Sequence, residues 1–311
     1  MDRSKAFAQK IRSAFAPCSL GNWPTPLEAR GELARQLGLQ ELWLKREDLS
    51  GGNKTRGLEF LLAGAAPRSV FVTIGASGSS HCLALARAAL TLGHSAVVAL
   101  FPQPETDASR AIGAAIDATA RQVVRASSLV TFPLAAVRAW RAAQRLGTGP
   151  LRWVPGGGAD PRAVLGHFLA TLELAEQLDA LSHPDAIVVP LGTGGTAAGV
   201  ALGVAWLGWS TEVIAVRVAS RLVANRWRTL RLARQAATLL ALRGEIRVRV
   251  VDALGKGYGH PTPDGDRARA LAAEHGVRLD PTYGAKAFSV LMRRPDLSMQ
   301  RAVFWHTFAW P

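Results

Sequence analysis

Lys54 is the residue of this chain whose type and position point most directly to chemistry. It follows the turn residues Gly51 and Gly52, after a short predicted strand at 42–45, and a helix-like spacing of leucines begins beside it. A lysine amine forms an imine with the aldehyde of pyridoxal phosphate, and partial burial lowers its pKa so that the neutral amine is available. A single lysine at a helix start is more often a solvated surface charge. Lys54 therefore indicates an imine-forming site only if the sequence also contains other parts of such a site, such as a phosphate-binding turn.

A glycine-rich turn after another predicted strand has the composition of a phosphate site. The strand is the apolar segment 186–191, and a helix of small residues is predicted after the turn. Such a turn exposes consecutive backbone N–H groups, threonine hydroxyls add donors, and the helix N-terminus adds partial positive charge. The glycine spacing is neither a nucleotide loop nor the dinucleotide fingerprint, and a plain tight turn is the alternative. The turn consists of Gly192, Thr193, Gly194, Gly195 and Thr196.

The two tyrosines of the chain both lie beside glycine or proline turns. Tyr258 stands in the segment KGYGHPTPD, and Tyr283 stands in LDPTYGAKAF. A phenol near a cofactor can donate a proton or hold a carboxylate, whereas a tyrosine in a core only packs its ring. Packing is the commoner role, but the position of both residues in turns favours a site.

Five motifs occur in an order that resembles the D-cysteine desulfhydrase and 1-aminocyclopropane-1-carboxylate deaminase family. They are GGNKTR, TIGASGSSHCLALARAA, PLGTGGTAAG, GYGHPTPD and LDPTYGAKAF, and the resemblance runs from about Pro24 to about Thr307. It implies a pyridoxal-phosphate enzyme with the α/β tryptophan-synthase-like fold, also called fold type II. In that fold two domains each contain an open, mostly parallel sheet flanked by helices.

The resemblance also implies roles for individual residues. Lys54 becomes the Schiff-base lysine and proton shuttle, and Ser79 becomes a residue that holds the substrate carboxylate or relays a proton. Tyr258 and Tyr283 match the two active-site tyrosines, and Thr307 matches a threonine near the pyridine nitrogen of the cofactor. The residues expected to bind the cofactor are Asn53, Lys54, Ser80, Gly192, Thr193, Gly194, Gly195, Thr196 and Thr307.

The chain departs from the family at positions beside the expected cofactor. Ser80 stands where the family usually has an asparagine that contacts the phenolic oxygen of the cofactor, so His81 or water is expected to replace that contact. The loop before Lys54 is shorter than in the family, and Gly57 stands where a lysine is common. Gly284 replaces a glutamate of the deaminases, which argues against cyclopropane ring opening. The family also continues past HTGG into a closing strand and helix, whereas this sequence reads HTFAWP.

The function expected from the resemblance is β-elimination from a small amino acid, with D-cysteine as the preferred substrate. Lys54 would remove the α-proton, and Tyr283 would protonate the leaving group. The products would be pyruvate, ammonia and the expelled group, and the neutral Thr307 near the pyridine nitrogen would favour elimination over transamination. The alternatives are loss of sulfite from cysteate, cyclopropane deamination, and a non-catalytic homologue that binds a cofactor or a partner protein.

The elements that must position these residues follow an α/β pattern. At 311 residues with 49% hydrophobic residues, the chain can bury a substantial core. Strand-like runs alternate with alanine-rich helical stretches, which predicts parallel sheets with crossover helices. The resemblance implies a small domain at 53–158, inserted in a large cofactor-binding domain made of 1–52 and 159–311. The glycine-rich stretch 154–158 is the candidate hinge.

The net charge of +14 raises nucleic acid as a rival partner. Arg228, Arg231 and Arg234 alternate with leucines such as Leu230 and Leu232, which predicts an amphipathic helix with a solvated arginine face. The sequence contains no helix-turn-helix, zinc or aromatic-platform pattern beside them. It therefore predicts no nucleic-acid partner.

Cysteine usage and hydropathy bear on the compartment. Cys18 and Cys82 are too few for a disulfide framework, which favours a reducing compartment, and the scattered histidines predict no metal site. The stretch before Cys18 lacks the apolar run of a secretory signal. Pro190 and the glycine turn divide the apolar segment 186–210 into two elements, which argues against a membrane span. We expect a cytoplasmic homodimer that binds a small amino-acid substrate, with no membrane partner.

Overall fold

The computed structural model describes residues 3–178, 183–293 and 299–308. Within these ranges the chain alternates strands and helices, as the sequence predicts. The strands are β1 (Leu27–Ala29), β2 (Glu41–Arg46), β3 (Val70–Ala76), β4 (Ser95–Phe101), β5 (Gln122–Arg125), β6 (Leu151–Trp153), β7 (Ala186–Leu191), β8 (Glu212–Arg217), β9 (Arg249–Asp252) and β10 (Arg301–His306). The helices are α1 (Arg3–Phe15), α2 (Gly31–Gln36), α3 (Lys54–Leu61), α4 (Ser80–Thr91), α5 (Asp107–Thr119), α6 (Phe132–Leu146), α7 (Pro161–Gln177), α8 (Gly195–Leu207), α9 (Arg226–Leu239), α10 (Pro263–Glu274) and α11 (Gly284–Arg293).

The strands form two sheets, which confirms the expected fold class. The larger sheet has the order β1-β2-β10-β7-β8-β9, and the smaller has the order β5-β4-β3-β6. Every pairing is parallel except β1 with β2. β10 lies between β2 and β7, so the turns that follow β2, β7 and β10 emerge at the same edge of the large sheet. All four strands of the small sheet fall within 53–158, and the domain boundaries themselves stay a prediction.

Helix α7 holds together the two turns that carry the expected cofactor residues. It packs against α3, which begins at Lys54, and against α8, which follows the glycine turn. Glycines permit both approaches: a Cβ at Gly166 would lie 2.3 Å from the carbonyl oxygen of Arg56, and a Cβ at Gly199 would lie 2.4 Å from the Cβ of His167. Side chains at these positions would push the helices apart.

A buried ionic cluster fixes the chain around the start of α3. The guanidinium of Arg56 contacts Glu47 at 2.6 Å and Glu173 at 2.7 Å, and it lies 3.8 Å from the ring centroid of Trp23. The ammonium of Lys45 lies 3.6 Å from Glu173. Removing one partner of a buried ion pair typically costs about 3–5 kcal/mol. The cluster therefore anchors α3 to both β2 and α7.

The apolar segment and the arginine-rich segment fold as two ordinary parts of this architecture. Residues 186–210 divide into β7 and α8 at the glycine turn, and no helix among the described residues has the length and hydropathy to cross a membrane. Arg228, Arg231 and Arg234 are exposed on α9, whereas Leu230 and Leu232 are buried. The predicted amphipathic helix is therefore present.

Candidate active site

Lys54 is the first residue of α3, and its side chain lines a pocket. Nζ donates to the carbonyl oxygen of Gly157 at 3.3 Å. Burial lowers the pKa of Lys54 from 10.5 to about 8, because the charged amine loses hydration there. A substantial fraction of the amine is therefore neutral in mildly alkaline solution and able to attack an aldehyde.

The Gly157 carbonyl connects Lys54 to the glycine-rich turn. It also accepts a hydrogen bond from Thr193 Oγ1 at 3.3 Å. Gly157 has a φ of +67°, and a Cβ there would lie 2.6 Å from Thr193 side-chain atoms. Only glycine combines this backbone conformation with so close a contact. The stretch 154–158, suggested by sequence as a hinge, thus lies against both expected parts of the site.

The glycine-rich turn lies between β7 and α8. Gly194 occupies the N-cap of α8 with a φ of +97°, and a Cβ there would lie 3.1 Å from Thr229 Oγ1. The structure gives a reason for glycine here, since a Cβ would point towards Thr229 and Leu232 and the positive φ disfavours other residues.

Asn53 joins three segments of the site. Its Nδ2 donates to Thr196 Oγ1 at 2.6 Å, and its backbone N–H donates to the carbonyl oxygen of Thr307 at 2.9 Å. The turn before α3, the glycine turn before α8 and the end of β10 are therefore held at one place. The sequence could name Asn53 only through the resemblance, because these partners are distant in the chain.

A pocket lies where these segments meet. The structure brings together here all nine residues expected at the cofactor: Asn53, Lys54, Ser80, Gly192, Thr193, Gly194, Gly195, Thr196 and Thr307. Tyr283, Pro190 and Phe308 complete the lining.

The residues of this pocket fit pyridoxal phosphate. Lys54 supplies an amine with a lowered pKa, and the turn 192–196 supplies backbone N–H groups at the start of a buried helix. Among the described lining residues there is no carboxylate that would repel a phosphate. The chemistry of the donors therefore matches both ends of the cofactor.

Tyr283 and Tyr258 form a hydrogen-bonded pair at this pocket. Their hydroxyl oxygens lie 2.8 Å apart, and their rings pack edge to face with centroids separated by 5.9 Å. Burial raises the pKa of Tyr258 to about 12 and raises the pKa of Tyr283 well above its usual value of 10.0. Both phenols therefore keep their protons at neutral pH and can pass a proton between them.

Asp280 fixes Tyr283 at the start of α11, and the sequence analysis missed it. Oδ1 accepts from the backbone N–H groups of Thr282 at 3.0 Å and Tyr283 at 2.7 Å, and Oδ2 accepts from Gly284 at 2.8 Å. Burial raises the pKa of Asp280, and these three hydrogen bonds oppose that shift. The Asp-Pro pair ahead of a predicted helix was the available signal, since both residues favour helix starts.

The structure gives a reason for glycine at position 284, in addition to the absence of the deaminase glutamate. A Cβ there would lie 3.0 Å from Asp280 Oδ2. A side chain at this position would therefore press on the carboxylate that holds Tyr283 in place.

Lys286 supports the loop of Tyr258 and was also missed by sequence. Its side chain is fully buried, and Nζ donates to the carbonyl oxygens of Leu254 at 2.8 Å and Gly257 at 3.2 Å. Because Lys286 and Tyr283 lie on adjacent turns of one segment, the two tyrosines are fixed relative to one another.

The serine segment places Ser79 and Ser80 differently. Ser79 is the N-cap of α4, where its Oγ accepts from the backbone N–H of Cys82 at 3.2 Å. Ser80 lines the pocket. The hydroxyl of Ser79 is thus used as a helix cap, and its role towards a substrate carboxylate stays a prediction.

His81 does not line the pocket in place of the family asparagine. Its Nε2 lies 3.1 Å from Thr73 Oγ1, and burial with the nearby Lys54 lowers the pKa of His81 to about 3. His81 instead borders a small cavity that Lys54, His167, Gly195 and Gly57 also line. A Cβ at Gly57 would lie 3.0 Å from that of Ala163, so α7 crowds any longer side chain at this position.

Two further cavities adjoin the cofactor pocket through Ser80 and Phe308. One also contains Tyr283 and has a polar wall that includes Gln103 and Ser109. The other is a cleft of about 320 Å³ beside Arg87. No group of three histidine, cysteine, aspartate or glutamate residues with the arrangement of a metal site occurs in the described ranges.

Comparison with known proteins identifies the family of this chain. The chain is 36% identical over 285 residues to nocardicin C-9' epimerase of Nocardia uniformis subsp. tsuyamanensis, covering 87% of each chain. It is 32% identical over 287 residues to D-cysteine desulfhydrase of Salmonella newport, covering 86% of this chain and 85% of the relative. It is 30% identical over 313 residues to a putative 1-aminocyclopropane-1-carboxylate deaminase of Pyrococcus horikoshii, covering 97% and 94%.

A solved structure and a family model extend the comparison to nearly the whole chain. The crystal structure of a 1-aminocyclopropane-1-carboxylate deaminase homologue superimposes with a TM-score of 0.85 at 28% identity, covering 99% of this chain and 95% of the other. The family model described as "Pyridoxal-phosphate dependent enzyme" matches residues 18–307. The protein therefore belongs to the family of pyridoxal-phosphate-dependent enzymes, within its 1-aminocyclopropane-1-carboxylate deaminase and D-cysteine desulfhydrase branch.

Proposed function

We propose that this protein is a carbon–sulfur lyase that eliminates the β-substituent of a small amino acid, with D-cysteine as its preferred substrate. The observation that carries the proposal is the presence of a base and an acid at one pocket. Lys54 has a pKa lowered to about 8, and the Tyr283 phenol has a pKa well above 10.0. Elimination needs both, because one proton leaves the α-carbon and another must reach the leaving group. The relatives named D-cysteine desulfhydrase support this substrate class.

The proton transfers assign a separate task to each residue. Pyridoxal phosphate, when bound, supplies the aldehyde that takes the substrate amine and a ring that accepts electron density from the α-carbon. Nζ of Lys54 receives the α-proton. The electron pair of that C–H bond forms the Cα=Cβ bond, and the pair of the Cβ–S bond leaves with sulfur. The hydroxyl of Tyr283 protonates the departing sulfur and is reprotonated through Tyr258, 2.8 Å away. Hydrolysis of the released enamine gives pyruvate and ammonia.

The substrate carboxylate is assigned to the start of α4. The helix begins at Ser80 after the Ser79 cap, so its free N–H groups and its dipole favour an anion there. Ser80 lines both the cofactor pocket and the adjoining cavity that also contains Tyr283. A small amino acid held at Ser80 would therefore have its β-carbon on the side of the tyrosine pair.

The remaining assignments follow the same resemblance. We propose that the protein has a small domain at 53–158, acts as a homodimer, and uses Ser79, Tyr258, Tyr283 and Lys54 in catalysis. Gly284 supports elimination over cyclopropane deamination, because it replaces the deaminase glutamate. A Cβ at this position would lie 3.0 Å from Asp280 Oδ2, which leaves little room for a longer side chain.

A substrate panel tests the proposal. The protein reconstituted with pyridoxal phosphate is assayed for pyruvate with D-cysteine, L-cysteine and cysteate, and for 2-oxobutanoate with 1-aminocyclopropane-1-carboxylate. We expect pyruvate and sulfide from D-cysteine, with no release by a Lys54→Ala control. Turnover of the cyclopropane compound alone would show a deaminase, and turnover of cysteate alone would show a sulfite-releasing lyase. Either result would overturn the assignment of D-cysteine as substrate.

Epimerisation of a larger amino acid is the second candidate. The similarity to nocardicin C-9' epimerase suggests it, and the cleft of about 320 Å³ beside Ser80 and Phe308 provides room for a longer substrate side chain. Inversion needs proton donors on both faces of the α-carbon, and Lys54 and the tyrosines could serve as such a pair.

Isotope exchange separates the two candidates. In deuterated water, an epimerase converts one enantiomer into the other and places deuterium at the α-carbon without releasing pyruvate. Chiral chromatography and mass spectrometry of each enantiomer of cysteine and serine show which occurs. Inversion with no pyruvate would favour the epimerase, whereas pyruvate with no inversion would favour the lyase.

A further inference from the structure

His167, on α7, reaches the hydroxyl of Thr196 from behind the glycine-rich turn. Its Nε2 lies 3.5 Å from Thr196 Oγ1, and His167 is buried, with 4% of its surface exposed. Asn53 Nδ2 donates to the same oxygen at 2.6 Å. Thr196 lines the cofactor pocket, and His167 borders the smaller cavity behind it. The three side chains therefore form a chain that ends at the pocket.

The protonation state of His167 decides the direction of its hydrogen bond. Burial and the nearby charges of Lys54 and Arg56 keep the pKa of His167 well below 6.5, so the ring is neutral and carries a single N–H. Within the described residues Nδ1 has no hydrogen-bond partner. A proton on Nδ1 would leave a buried donor unpaired, whereas a proton on Nε2 can be donated to Thr196.

The Nε2–H form has a consequence for Thr196. Its hydroxyl oxygen then accepts two hydrogen bonds, one from Asn53 and one from His167, which occupy both lone pairs. The single hydroxyl proton of Thr196 then has no acceptor among these three side chains, so it can be donated to a ligand in the pocket. With the other tautomer, that proton would be directed back to His167.

We propose that His167 is a positioning residue that orients the Thr196 hydroxyl as a donor to the cofactor phosphate. The proposal rests on the proposed placement of the phosphate at the turn 192–196. Because His167 acts through Thr196, its effect must vanish when that hydroxyl is absent.

A double-mutant cycle on cofactor affinity tests this. Apoprotein of the wild type, His167→Phe, Thr196→Val and the double variant is titrated with pyridoxal phosphate, and Tm of each apoprotein is measured as the structural control. A hydrogen bond to a charged group corresponds to about a tenfold to hundredfold change in Kd. We expect each single variant to raise Kd by about that factor, and the double variant to match Thr196→Val. His167→Gln, which restores an N–H, should recover most of the affinity.

The outcomes distinguish this inference from the proposed function. Wild-type affinity in His167→Phe, or additive losses in the double variant, would overturn the role of His167 while leaving the cofactor site intact. A wild-type protein that takes up no pyridoxal phosphate would overturn the site itself and the inference with it. If His167→Phe does not fold, His167→Leu replaces it in the cycle. ¹⁵N NMR of the wild-type apoprotein gives a direct second readout: the proposal requires the Nε2–H tautomer, and an Nδ1–H tautomer would contradict it.

Discussion

The hydroxyl oxygens of Tyr258 and Tyr283 lie 2.8 Å apart, although the two residues come from separate turns of the chain. Asp280 holds the backbone of Tyr283, and Lys286 holds the loop before Tyr258. Asp280 and Lys286 therefore position the tyrosine pair, although neither is assigned a catalytic role. In the proposed mechanism, this pair supplies a fixed proton donor beside the pocket that Lys54 lines.

Removing the hydroxyl of Tyr283 should slow elimination much more than removing that of Tyr258. Tyr283 lines the pocket and is assigned as the acid, whereas Tyr258 acts by reprotonating it. Loss of a general acid typically costs about a hundredfold to ten-thousandfold in rate. We expect Tyr283→Phe to lower kcat for pyruvate release by that factor and Tyr258→Phe to lower it less, with similar Tm values. Unchanged kcat in Tyr283→Phe would remove this phenol from the mechanism.

Gly194→Ala should weaken cofactor binding and also destabilise the apoprotein. With a φ of +97° at Gly194, an alanine would be strained by about 1–2 kcal/mol, and its Cβ would crowd Thr229. Gly208 is a matched control, because its φ is +70° and a Cβ there meets no atom within 4 Å.

Gly208→Ala should therefore lower Tm by a comparable amount and leave Kd for pyridoxal phosphate unchanged. The two variants are compared by thermal unfolding and by cofactor titration. Equal Kd in wild type and Gly194→Ala would contradict the prediction that the conformation of this turn matters for cofactor binding.

Lys286→Met should loosen the loop that carries Tyr258. The change leaves the carbonyl oxygens of Leu254 and Gly257 without their donor, which costs about 1–3 kcal/mol for buried groups. We expect a lower free energy of unfolding in denaturant and a fall in kcat towards the value of Tyr258→Phe. The exposed Lys256 lies in the same loop and serves as control. A Lys256→Met variant that lost as much stability would show that loop charge, and not the buried contacts, is responsible.

The reaction of the apoprotein with pyridoxal phosphate should accelerate as pH rises towards about 8. The amine of Lys54 reacts only when neutral, and its pKa in the folded protein is lowered to about 8 by burial. Below that pH, the neutral fraction rises about tenfold per pH unit, and above it the rate should level off. Stopped-flow absorbance between pH 6 and 10, roughly, follows this directly. A rate that kept rising to about pH 10 would indicate an ordinary solvated lysine.

The sequence could predict the parts of the site that follow from local pattern. Lys54 at a strand–turn–helix junction and the glycine turn after β7 are such parts, and parallel strands bring the turns after their C-terminal ends to one edge. The strand pattern likewise predicted parallel sheets, whereas their division into two came from the family resemblance.

The contacts between these parts could not be predicted, because each contact depends on which faces of the helices and strands pack against each other. The donation from Asn53 to Thr196 spans 143 residues. His81 binds Thr73 instead of entering the pocket, since the orientation of α4 against β3 decides where its side chain lies. The positive φ of Gly194 and the approach of Thr229 to it could not be predicted either, because both depend on the folded backbone.

The most direct test of the central claim is the site of covalent attachment of the cofactor. The purified protein is incubated with pyridoxal phosphate, its visible spectrum is recorded, and the complex is reduced with borohydride and mapped by mass spectrometry. Lys54→Ala is the control variant. The account predicts a visible absorption band that borohydride abolishes, with the reduced adduct on Lys54 and none in Lys54→Ala. A colourless wild-type protein, or an adduct carried by another lysine and retained in Lys54→Ala, would contradict it.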